Sequence, residues 1–196
     1  AGVGLTGVFL WYLVRFWVYG KAVVLTSAPL TIPAGFLIAG MAVATLIGAA
    51  LASWAAGPIS ERIEEKNIPV ARVVAGACLL YAIGLGLAWG LGVWSTGTAR
   101  ENGMLLFALI SGFAFGIYDS LGLELVMDSL PDPRRAGHDL GIYALANSAG
   151  LALAAIIGAL LVNAFEHSFG YYLLFPSAIV MVLLAGIVTL TTKSAE

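Results

Sequence analysis

Long apolar runs separated by short polar clusters set the pattern of this chain. Six runs can be marked, over residues 5–28, 33–57, 69–94, 103–127, 139–163 and 168–191. At about 1.5 Å per residue, each can cross a hydrocarbon core roughly 30 Å thick as a helix, the one open-chain structure that satisfies its own backbone there. The weakest break is the first. "TSAPLTIPAG" carries no charge and relies on Pro29, Pro33 and Gly35, so a single re-entrant segment there would leave five crossings. The expected fold is an all-α integral membrane protein, a six-transmembrane-helix bundle forming one domain over residues 1–196.

Composition agrees with the pattern. Hydrophobic residues make up 61% of the chain and charged residues 10%, against roughly 25% charged in soluble domains. A net charge of −2 gives no electrostatic footprint for nucleic acid, and the lipid bilayer is the expected surrounding. Charge placement says more than the sum. Arg62, Lys66, Arg72, Arg134, Arg135 and Lys193 fall at one set of segment ends, and only Arg100 at the other. Positive loops are retained in the cytoplasm, so both termini are expected there and the number of crossings is even, which favours six. The expected location is the bacterial inner membrane.

Small residues recur four apart: Gly86 and Gly90, Gly112 and Gly116, and Gly150, Ala154 and Gly158. Such rows let helix backbones approach closely in lipid, although glycine is also common in membrane helices without that role. Trp54, Trp89, Trp94, Tyr171 and Tyr172 stand near segment ends, where amphipathic rings anchor to the interface.

Ionisable and amide groups inside a bilayer are costly and are functional candidates by default. Counted from the cytoplasmic ends, Arg15, Asp119 and Asn147 fall at a depth of roughly 12–15 Å. An arginine and an aspartate at one depth can neutralise each other and separate when a substrate or proton arrives. Tyr12 and Tyr19 lie three before and four after Arg15, hence on its helix face. With Tyr118 and Tyr143, they complete a candidate substrate-binding layer whose hydroxyls and amide suit a hydroxylated ligand. The same residues also fit a permanent ion pair that only locks the bundle.

Lys21 can snorkel outward, and Glu124 and Asp128 are placed to meet basic residues such as Arg62 or Arg134. The single cysteine, Cys78, allows neither an intrachain disulfide nor a cysteine metal site. His138 and His167 fall on opposite sides of the membrane, so no metal or haem pair is expected. No phosphate-binding glycine loop, H-E-x-x-H or G-x-S-x-G occurs. No cofactor and no enzymatic activity are therefore expected.

The loop "LPDPRRAGHDLGIYALANSAG", residues 130–150, resembles the cytoplasmic turn between the tenth and eleventh helices of sugar-transporter-like members of the major facilitator superfamily. Asp132, Arg134, Arg135 and Asp139 stand at its motif positions. "AGPISERIEEKN", 56–67, is similar to that superfamily's G-x-x-x-D-R-x-G-R-R loop: Gly57 and Arg62 match and Glu61 stands for the aspartate, whereas Glu64 and Glu65 replace glycine and arginine. "FLWYLVRF" is similar to the start of the seventh helix, with Arg15 at the familiar arginine. The resemblance covers the chain as the C-terminal six-helix half alone. It implies half of a secondary transporter moving a small polar solute, a sugar among the candidates, by alternating access. Because such transporters rock two halves around a shared site, it also implies a partner: a second copy, a separate N-terminal six-helix half, or a larger membrane complex. In that last setting the chain would be a non-transporting subunit that kept the fold.

Overall fold

The structure is a computed structural model that describes residues 2–14, 32–94, 98–128, 136–164 and 167–191. Those residues form six helices: α1 (Gly2–Leu13), α2 (Ile32–Glu65), α3 (Val70–Trp94), α4 (Thr98–Asp128), α5 (Ala136–Ala164) and α6 (His167–Thr191). Five of them, α2 to α6, hold stretches long and apolar enough to cross a membrane. The described part of α1 is 12 residues long, and the rest of the first predicted segment lies outside the described residues.

The second helix departs from its expected end. The reading that placed Gly57, Glu61 and Arg62 in a loop after residue 57 is corrected: all three are helical and exposed, because α2 runs on to Glu65 with Pro58 inside it. Glutamate, arginine and lysine are good helix formers. The 34 residues of α2 span about 51 Å, so its charged last turns extend past a core of about 30 Å into water. The helix then closes on a Schellman motif. Asn67 takes φ 52°, its N–H donates to the Glu64 carbonyl at 3.2 Å, and the Ile68 N–H reaches back to the Ile63 carbonyl at 3.0 Å. Pro69 follows and α3 begins, which turns the chain within four residues.

Helix packing follows a rule. Among the described residues, the principal packed pairs are α2·α4, α3·α4, α3·α6, α1·α5, α1·α6 and α5·α6. Exchanging α1 with α4, α2 with α5 and α3 with α6 turns α2·α4 into α5·α1 and α3·α4 into α6·α1, and leaves α3·α6 unchanged. Only α5·α6 has no counterpart among the principal pairs. The bundle thus packs as two clusters, α2 with α3 and α4, and α1 with α5 and α6, joined through α3·α6, and the exchange relates the sequence triplets α1–α3 and α4–α6. Each triplet holds an odd number of helices, so the two run in opposite senses wherever every helix crosses the membrane.

Related pairs are also closed by small residues. At the α2·α4 crossing, a Cβ added to Gly48 would stand 2.7 Å from the Phe113 nitrogen. One added to Gly112 would stand 2.8 Å from Thr45 Cα, and one added to Gly116 would stand 2.7 Å from Ala52 Cβ. At α1·α5, a Cβ on Gly4 would meet Leu151 Cδ2 at 2.8 Å and Ala154 Cβ at 3.1 Å, and Gly158 lies against the Phe9 ring. Backbone contact of this kind replaces the hydrophobic drive that lipid removes. Gly86 differs: nothing lies within 4 Å of its added Cβ, so the Gly86–Gly90 row does not mark a crossing at Gly86.

The main core gathers Leu13, Met41, Leu85, Met104, Leu174 and Phe175, and a smaller one gathers Ala52, Val74, Ala77, Ile117 and Leu121. Outward faces are apolar as well. Phe36, Leu46, Trp54 and Leu145 are 74%, 70%, 79% and 71% exposed, an arrangement suited to lipid rather than water.

Candidate functional site

Two cavities occupy the space between α1 and α4, the first helices of the two triplets, which are not among the principal packed pairs. The first, about 280 Å³, lies between α1, α2 and α4 and is lined by Thr6, Thr45, Ser111, Tyr81, Phe107 and Phe115 among others. The second, about 260 Å³, reaches α3, α5 and α6 and includes Cys78, Tyr81, Tyr118, Asn147, Leu151 and Val182. Val3, Tyr81 and Phe115 line both, so the cavities are neighbours.

Helix register brings the polar groups of the second cavity to one level. Tyr118 lies ten residues before the end of α4, Asn147 eleven after the start of α5, and Tyr81 eleven after the start of α3. Each is therefore about 15–17 Å from the same end of the bundle. Tyr118 lies within Coulombic range of Tyr143, Cys78 and Asp119, and its ring stacks on Phe115 with centroids 6.4 Å apart. Tyr81 is the fixed point. It is 6% exposed, meets Phe107 edge-on at 6.0 Å, and its hydroxyl lies 3.2 Å from the Oγ1 of Thr6, itself 3% exposed.

Of the residues expected from sequence, Tyr118 and Asn147 line a common cavity. Tyr143, half-buried on α5, stands in range of Tyr118. Asp119 is exposed on α4 and is not among the residues lining either cavity. Arg15 and Tyr19 lie outside the described residues, as do Asp132, Arg134 and Arg135; for Tyr12 and Asp139 only the helical backbone is described. On α1, the level of Tyr118 and Asn147 is reached by Val3 and Gly4. Among the described residues there is no group of three or more His, Cys, Asp or Glu able to hold a metal.

Thr6, Thr45, Tyr81 and Ser111 line the cavities without standing out in the sequence as ionisable or amide groups do. One signal was present: Tyr81 stands twelve residues into the 69–94 segment, about 18 Å from its start and so near mid-depth. The hydroxyls of threonine and serine carry no such mark, because in an apolar run they satisfy themselves on the preceding turn.

Comparison with protein-family models, with curated proteins and with solved structures gives no match.

Proposed function

We propose that the chain is one half of a secondary transporter that moves a small polar solute by alternating access, in the manner of the C-terminal half of a major facilitator transporter. The observation that carries this reading is the exchange rule of helix packing together with the cavities between α1 and α4. Inverted repeats that place a polar site at their junction are the common architecture of alternating access. The face bearing Tyr118, Asp119 and Asn147 is open in the single chain. In this reading a second copy, or a separate six-helix half, supplies the other wall. Both termini cytoplasmic is the orientation that the placement of Lys and Arg supports, in a membrane proposed to be the bacterial inner membrane. Sugars are one class within the proposed range of solutes.

The test is counterflow into proteoliposomes with a panel of labelled sugars and small amines. At least one solute should accumulate above protein-free vesicles, and Asn147→Ala should reduce that accumulation about ten-fold, as expected for the loss of one hydrogen bond to the solute. Absence of movement for the whole panel, with the chain recovered in a stable larger complex, favours a second reading. In it the chain is a non-transporting subunit of a membrane assembly. One observation supports that alternative: among the described residues of α5, only Ala154 and Gly158 are fully buried, which leaves the face away from α1 and α6 available to a neighbour.

A further inference from the structure

A groove of about 300 Å³ runs between α3 and α6 on the outside of the bundle. Its rims are Leu79 on α3 and Leu183, Ile187 and Leu190 on α6, all exposed. Two glycines open it. A Cβ added to Gly76 would meet nothing within 4 Å, and Gly186 brings α6 close to α3, its added Cβ 3.2 Å from Cys78 Cβ. Arg72 is the one charged residue among the described residues that line the groove. It is exposed, and among the described residues it is paired with no carboxylate. Its depth follows from helix length. The 25 residues of α3 span about 37 Å, roughly 7 Å more than a hydrocarbon core, so each end overhangs by a few ångströms. Arg72, two residues past Val70, starts about 3 Å from that end and so at the edge of the hydrocarbon. The α6 rim descends from the same level: Leu190, Ile187 and Leu183 lie one, four and eight residues before Thr191, about 2, 6 and 12 Å below it.

We propose that this groove holds an anionic phospholipid, with an acyl chain lying over Gly76 and Gly186 and the phosphate against the Arg72 guanidinium. Each part of that molecule finds its counterpart. The planar guanidinium donates two parallel N–H bonds to a phosphate, and the arginine stem can lie along the apolar wall while its head reaches the headgroup level. Below it the groove offers only apolar rims and glycine backbone to a chain. A water-soluble anion would leave the leucine and isoleucine rims uncovered, and an uncharged lipid would leave Arg72 unpaired. In a zwitterionic lipid the headgroup ammonium already attends the phosphate, so an arginine gains less from it. The inference rests on the helices being embedded in a bilayer and owes nothing to the transporter reading.

The test is native mass spectrometry of the whole chain released from non-ionic micelles, after titration with dioleoylphosphatidylglycerol or dioleoylphosphatidylcholine at matched concentrations. One phosphatidylglycerol should be retained about ten-fold more tightly than phosphatidylcholine, as expected for one charge-assisted contact, and Arg72→Gln should remove that preference. Gly76→Leu, which fills the groove from a position where a Cβ meets nothing, should weaken phosphatidylglycerol several-fold with Arg72 still in place. Lys66→Gln, in the neighbouring turn and not among the groove residues, should leave both lipids unchanged. Equal retention of the two lipids, an equal loss from Lys66→Gln and Arg72→Gln, or indifference to both Arg72→Gln and Gly76→Leu would overturn the proposal; the second result would mark diffuse attraction to a positive rim in place of a built groove. Because the Gly76 position is unobstructed, its variant keeps the test open should Arg72→Gln fail to fold. Retention that follows this pattern without any counterflow removes the transporter reading alone, and counterflow without it removes this inference alone.

Discussion

Replacing Gly112 by alanine should separate α2 from α4. The added Cβ would stand 2.8 Å from Thr45 Cα and closer still to the Thr45 carbonyl oxygen, where an ordinary contact needs about 3.5–4.0 Å. Both obstructing atoms are backbone, so no rotamer change relieves the overlap and α2 must withdraw by about 1 Å, a gap that forfeits a quarter to a half of each contact's attraction. Overpacking of this kind costs about 1–3 kcal/mol. Alanine returns about 0.5–1 kcal/mol through its better helix propensity. The net loss is about 1–2 kcal/mol, a factor of roughly 5–30 in the folded-to-unfolded ratio. The control is Gly86→Ala, where nothing lies within 4 Å and only the propensity gain remains. Unfolding by SDS in mixed micelles, followed by far-ultraviolet circular dichroism, measures both variants against the parent. Equal stability of Gly112→Ala and Gly86→Ala would refute the close α2·α4 crossing.

Gly158→Ala should be milder than Gly112→Ala in the same assay, because the obstruction is the Phe9 ring, which can turn aside; a loss as large as that of Gly112→Ala would contradict this. Thr6→Val strands the buried Tyr81 hydroxyl and should destabilise by about 1–3 kcal/mol, while Thr6→Val with Tyr81→Phe should recover most of that loss; additive losses in the double variant would disprove the hydrogen bond. Asn67→Gly should raise the melting temperature slightly and Asn67→Val lower it, since φ 52° suits glycine and strains a β-branched residue by about 1–2 kcal/mol. Asp119→Asn should lower counterflow of the transported solute, since Asp119 stands beside Tyr118 on the open face of α4; unchanged counterflow would exclude Asp119 from the transport path.

Long apolar runs made the helices legible: the segments expected over 69–94, 103–127, 139–163 and 168–191 sit within a few residues of α3 to α6. They misplaced the end of α2, because the polar cluster that begins after residue 57 reads as a loop. Helix-forming charged residues beyond it carry the helix onward to Glu65. Asn147 and Tyr118 were found because an amide and a ring hydroxyl at mid-depth are conspicuous. The packing rule that relates the triplets could not be read from the sequence: which helices touch depends on small-residue faces such as Gly48, where glycine frequency alone does not single out the position. Thr6 and Tyr81 were hidden for another reason. Their importance lies in a contact across 75 positions, and local pattern carries no record of it.

The central claim is that the level of Tyr118 and Asn147 faces a water-reachable cavity rather than lipid. Single cysteines at Tyr118, Asn147 and the outward-facing Leu145 (71% exposed), in a Cys78→Ala background, can be challenged in proteoliposomes with a membrane-impermeant thiosulfonate. The account predicts fast modification at positions 118 and 147 and none at 145. Equal protection at all three positions would contradict it.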